Sequence, residues 1–176
     1  NDRELEEMLV FAVSFDGPIA IRYPRGSAHQ GLREYQVPVE YGRSEIIRKG
    51  KKIAVLGVGS MIPSCMEICK GLKDDGYDPT FVNARFVKPL DVDLLDELAK
   101  DHSLFVTVEE NVKSGGYGEH VSAYMEACHP EIRVLSAAVW DRFVPQGNVE
   151  SLRSRIGLGV EDIRQAIEDS EELREQ

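Results

Sequence analysis

The chain has 176 residues and carries 21 Lys and Arg against 31 Asp and Glu, a formal net charge of −10. That acidity argues against broad binding to nucleic acid or anionic membrane, since both reward basic surfaces, and leaves small metabolites open as ligands. Cys65, Cys69 and Cys128 make an odd count inside helix-like segments, which argues against a secreted disulfide framework and fits a reducing cytoplasm.

No apolar run approaches the roughly 20 residues that cross a bilayer, and no signal peptide is visible at the start. The first residue is Asn1 rather than Met, as expected of a truncated or processed product.

In chain order, Leu5, Met8, Leu9, Ala12 and Val13 recur at helical spacing, and Gly17-Pro18 stops that helix before "IAIRY", which reads as a strand. Between Gly26 and Gly50 no period is sustained; this stretch reads as a linker leading into a short strand at 44–48, with a domain boundary near Tyr41.

From Lys51 the rhythm is regular. "KKIAVLGVG" is a buried-type strand, and Ile62, Cys65, Met66, Cys69 and Leu72 form one face of a helix that Ser60 can cap. "DPTFVNA" is the next strand, and Asp91 caps a helix bearing Leu94, Leu95 and Leu98. "SLFVTVEE" follows, then a glycine-bearing turn and a helix with Tyr117, Val121, Tyr124, Met125 and Cys128 on one side. "IRVLSAAV", a helix near 160–168 and a solvated acidic terminus complete the chain.

Strands alternating with helices of this length imply crossover connections, so the expected fold is α/β, with three α/β/α layers around a mainly parallel sheet.

Chemistry concentrates in "RYPRG". Pro24 fixes its own φ and biases Tyr23 toward extended geometry, while Gly26 permits a sharp exit, so Arg25 stands on a stiff corner just past a strand end. A guanidinium donates two parallel hydrogen bonds and stays charged, which suits phosphate; a structural salt bridge fits the same residue types. Arg22, inside the expected strand, suits a carboxylate partner.

"EENVKSGGYGEH" offers glycines and a helix N-terminus to an anion, but it matches neither a P-loop nor G-x-G-x-x-G, and tight packing of loop on helix explains the glycines as well. Glu109 and Glu110 are adjacent on a strand and point to opposite sides, so they are not a paired acid and base. His120 and His129 are nine positions apart, and Cys65 and Cys69 read as small hydrophobes. Neither a metal-ligand set nor a G-x-S-x-G elbow emerges. The residues alone single out no catalytic side chain.

"GPIAIRYPRG", "VNARFVKPLD", "VTVEENVKSGGYG" and "FVPQG", in this order, resemble the carboxy-terminal part of the 1-deoxy-D-xylulose-5-phosphate synthase family of the transketolase superfamily, over about Glu4 to Ile167. The resemblance implies that residues 1–26 are the last helix and strand of a middle, pyrimidine-binding domain, 27–41 a linker, and 42–176 a transketolase-type C-terminal domain.

It further implies a transferase in the isoprenoid and thiamine biosynthetic routes that joins pyruvate to D-glyceraldehyde 3-phosphate with loss of carbon dioxide. Thiamine diphosphate and Mg2+ would be bound by the full-length enzyme but not by this chain, and a cytoplasmic homodimer is implied. Arg25 matches the residue contacting the aldehyde's phosphate.

The Gly-Asp-Gly metal motif and the glutamate acting on the pyrimidine ring are not in these residues, so the chain alone is expected to be inactive. Two other readings fit: a non-catalytic assembly or regulatory module pairing with a separate chain, and the matching lobe of a 2-oxo-acid dehydrogenase β subunit, against which "NARFVKPLD" counts. One departure is Trp140, standing where the family often has proline before the "PQG" turn, so that loop is expected to take another path.

Overall fold

The computed structural model describes residues 1–24, 26–34 and 37–170. Its centre is the strand β2 (Lys52–Gly57), where Ile53 and Val55 face one side and Ala54 and Leu56 the other, all but sealed from solvent. A strand apolar on both faces needs helices on both, and a five-stranded sheet supplies the setting, in the order β1 (Glu45–Arg48), β3 (Thr80–Asn83), β2, β4 (His102–Val112), β5 (Arg133–Val139). β2, β3, β4 and β5 pair in parallel; β1 closes one edge antiparallel to β3.

One face is covered by α2 (Ile62–Asp74) and α6 (Val160–Glu168), through Cys65, Ile68, Leu72, Ile163 and Ile167. The other is covered by α3 (Val92–Leu98) and α4 (Tyr117–Cys128), through Leu95, Leu98, Tyr117, Val121 and Met125. These are the three expected layers. Burial pushes the Cys65 thiol well up and the Cys69 thiol to about 12, so both act as neutral core side chains.

Several details differ from the sequence reading. Ile68 is buried on α2, whereas Met66 is 39 % exposed and turns outward. Ser60 does not cap α2; it sits in a 3-10 turn at Gly59–Met61 and hydrogen-bonds Glu110 instead. A short helix, α5 (Val149–Arg155), had no apolar period to reveal it, and none of its residues is buried.

The first helix, α1 (Asp2–Ser14), forms as expected, but "IAIRY" does not become a strand. Residues 18–24 belong to no helix or strand, because a strand requires a neighbour's backbone groups and none of the five described strands pairs with them. α1 itself buries no residue. It leans on the domain through Phe11 and Phe15, which with Tyr41 and Phe86 form a chain of ring contacts at 5.0–6.0 Å.

At the opposite end of the sheet, His102 is buried between two elements. Its Nδ1 lies 2.8 Å from the carbonyl of Leu98, which can only accept, so Nδ1 carries the proton. Nε2 then accepts from the Thr80 hydroxyl at 2.7 Å, and Thr80 Oγ1 accepts the N–H of Gly50 at 2.9 Å.

Burial lowers the His102 pKa from the ordinary 6.5, opposed by its bond to Leu98 and the charge of Asp101. The neutral ring's contribution is therefore complete above pH 6.5 and is lost as pH falls from there through the lower folded value, because the unfolded chain binds the proton first. Urea midpoints should drop as pH is lowered below 6.5, and His102→Gln should flatten that portion of the profile; an unchanged slope in the variant would rule out this titration.

Candidate functional site

In an open parallel sheet, ligands favour the crevice beyond the strand C-termini where successive helices leave to opposite faces. Here that point lies between β2, followed by α2 on one face, and β4, followed by α4 on the other. The chain's own side chains occupy it. Ser60 donates to one oxygen of Glu110, and Arg153 from α5 holds the other through Nε at 2.8 Å and Nη2 at 2.7 Å.

The N-terminus of α4 is likewise filled. Glu109, fully buried, accepts the N–H of Tyr117 at 3.0 Å, the N–H of Gly118 at 2.7 Å and the Asn111 amide at 2.9 Å. Gly116 supplies no side-chain cap, so a carboxylate from the preceding strand takes that place. The glycines of "EENVKSGGYGEH" thus serve packing, and the adjacent Glu109 and Glu110 do face different partners. Neither seat fits a diphosphate, since each already presents a carboxylate.

β3 ends in a third cluster, around Arg85. This residue adopts φ +53, and its backbone N–H bonds Asn83 Oδ1 at 3.3 Å. Its side chain is only 2 % exposed. Nε donates to Glu4 of α1 at 2.7 Å, Nη2 pairs with Glu45 at 3.0 Å, and the fork also reaches the carbonyls of Val37 at 3.0 Å and Pro38 at 3.3 Å. Asn83 donates to the same Glu4 oxygen at 2.7 Å. A cavity of about 20 Å³, room for one water, adjoins Glu4, Glu45 and Arg85.

Arg85 escaped the sequence reading because nothing local in "VNARF" marked its distant partners. The one available signal was its position, just beyond a parallel strand's C-terminus.

Arg25 lies outside the described residues. Of its surroundings, Arg22 is exposed, Tyr23 is 65 % exposed, and Gly26 has φ +124, a value that favours glycine. Arg22 therefore lies in exposed chain rather than inside a strand.

Elsewhere, His129 meets Asp96 at 2.7 Å and Tyr124 donates to the same oxygen at 2.8 Å, joining α3 to the end of α4 and holding the Asp96 carboxyl below its usual range. His120 is not part of this group. Among the described residues no set of three His, Cys, Asp or Glu could hold a metal. Trp140 is 58 % exposed, with the Lys113 ammonium 4.8 Å from its ring centroid.

These features define a doubly wound α/β domain whose switch crevice is closed by its own ion pair. Residues 42–163 match the family described as transketolase, C-terminal domain, and the chain belongs to that family.

The chain is 42 % identical to the 1-deoxy-D-xylulose-5-phosphate synthase of Lachnoclostridium phytofermentans over 93 % of its own length and 26 % of the relative's. Against the enzyme of that name from Dictyoglomus thermophilum it is 39 % identical, covering 95 % of the chain and 27 % of the relative. It thus spans about a quarter of the length of these curated relatives.

A solved split-gene transketolase, described as an inactive beta4 tetramer, superposes with a TM-score of 0.86 at 27 % identity, covering 96 % of this chain and 54 % of that one. Transketolase from Campylobacter jejuni, at 17 % identity and TM-score 0.52 over 73 % of this chain and 19 % of its own, shares the fold. Among the described residues no helix is long and apolar enough to cross a membrane.

Replacing Glu109 with Ala should cost about 1.5–3 kcal/mol in urea unfolding, the value of charge-assisted bonds lost from a buried helix start. A loss below about 0.5 kcal/mol, the size of an ordinary surface change, would show that another group meets those N–H donors.

Proposed function

We propose that the chain is the C-terminal part of a 1-deoxy-D-xylulose-5-phosphate synthase, a cytoplasmic, homodimeric transferase that condenses pyruvate with D-glyceraldehyde 3-phosphate and releases carbon dioxide. The observation carrying this reading is the 35–42 % identity, spread over more than nine-tenths of the chain, to relatives that all bear that name.

Thiamine diphosphate, with Mg2+, supplies the carbanion chemistry in such an enzyme. The reading assigns the cofactor to segments beyond these residues; the carboxylates of Glu109 and Glu110 at the start of α4 and beside Arg153 are in keeping with it. This chain's part is to brace the substrate entrance and the assembled dimer. Residues 1–26 complete the middle domain, 27–41 link it, and 42–176 form the bracing domain.

Arg25 is the residue assigned to substrate, holding the aldehyde's phosphate by a charge-assisted contact. The assignment draws on the "RYPRG" motif and on the exposure of its neighbours Arg22 and Tyr23.

In the whole synthase, Arg25→Ala should raise the KM for D-glyceraldehyde 3-phosphate by about ten- to a hundredfold, matching the loss of one contact to a charged group. An unmoved KM for that substrate would remove the assignment. The 176-residue chain supplied with thiamine diphosphate and Mg2+ should not decarboxylate pyruvate; turnover would show that a cofactor site is complete within it.

A further inference from the structure

We infer that Arg85 is a positioning residue for the arginine corner, a single guanidinium that fastens both the helix before the corner and the linker after it to the sheet. Its kinetic consequence rests on the synthase reading; its structural consequence does not.

α1 starts beside the end of β3, where Glu4 meets Asn83 and Arg85; the chain then continues through "IAIRYPRG" and comes back to Arg85 at Val37 and Pro38. Both ends of that excursion meet Arg85: Glu4 on the outgoing side at 2.7 Å, and the carbonyls of Val37 and Pro38 on the returning side at 3.0 and 3.3 Å. Glu45 at 3.0 Å holds the fork from below, and its other oxygen takes the N–H of Val37 at 3.2 Å. With its charge facing two carboxylates and its side chain 2 % exposed, Arg85 has no freedom to bind substrate itself. What it fixes is where the two arms of the excursion stand.

Additional ties hold the arms to each other. Asn1 donates to the carbonyls of Gly31 and Leu32 at 3.2 and 3.1 Å, and Arg33 pairs with Asp2. These contacts close the excursion on itself; they do not attach it to the sheet. Glu4 is the link from this bundle to Asn83 and Arg85, at the end of β3. A lysine at position 85 would keep the charge but, as a compact point donor, could not serve two carboxylates and two carbonyls together.

The test uses Arg85→Lys and Glu4→Gln in the whole synthase polypeptide, at a temperature where circular dichroism shows both folded. Tryptic cleavage between Arg22 and Arg33 should accelerate by about tenfold relative to cleavage elsewhere, as expected for release of one local unit. Arg85→Lys should also raise the KM for D-glyceraldehyde 3-phosphate about tenfold more than the KM for pyruvate.

Cleavage at the original rate, or accelerated equally along the whole chain, would overturn the positioning role. If Arg85→Lys does not fold, Glu4→Gln decides by the same cleavage ratio. If Arg25→Ala raises the aldehyde KM and Arg85→Lys does not, the positioning role falls while the synthase reading stands. If Arg25→Ala itself leaves that KM unmoved, the phosphate assignment falls and the role of Arg85 is decided by proteolysis.

Discussion

The C-terminal edge of a parallel sheet gathers the positive ends of the helices that follow its strands, and each buried N–H there needs an acceptor. This chain answers with its own carboxylates. Asp91 caps α3, Asp162 accepts the N–H of Gly159 at the start of α6, and Glu109 reaches forward from β4 to the start of α4. Glu110 neutralises Arg153, while Glu4 and Glu45 neutralise Arg85. Part of the acidic excess is therefore engaged within the fold, and a carboxylate of the chain itself stands at each of these positions.

The proposed ligand contact lies instead on the segment preceding the sheet. α1 carries more apolar surface than the sheet covers: Leu9, Val10 and Val13 are 48, 72 and 90 % exposed. Its attachment is instead through a polar end at Glu4 and an aromatic end at Phe11 and Phe15. A helix held at two points, with its apolar stripe outward, is arranged to be shared with another packing surface. Under the proposed function that surface would be the middle domain's, to which residues 1–26 are there assigned.

The sheet and its major helices were legible because burial on both faces leaves a strong imprint: β2, β3 and β4 appear as apolar runs, and α2 and α4 as stripes at 3.6 spacing. Asp91 was legible as a cap because its helix begins at once after it. α5 was not, being polar and unburied, and "IAIRY" misled because β-branched residues announce strand preference without revealing whether a partner strand is within reach. The Arg85 cluster joins Glu4, Glu45, Val37 and Pro38 to one side chain across up to 81 positions, and no periodicity encodes such a meeting.

The glycine-bearing turn before α4 shows how one sequence pattern serves two chemistries. A side chain on Gly116 would stand 2.7 Å from Glu109 Oε1 and from the carbonyl of Val112, and one on Gly118 would stand 2.2 Å from Ser136 Oγ and 2.4 Å from Thr107 Oγ1. Those glycines let the helix settle so close to β4 and β5 that a carboxylate on the strand can reach its first N–H groups. In a phosphate-binding turn the same lack of side chains admits a ligand from outside. The deciding feature is the residue at the strand's end: with Glu109 pointing toward the helix, the anion site is already filled by the chain.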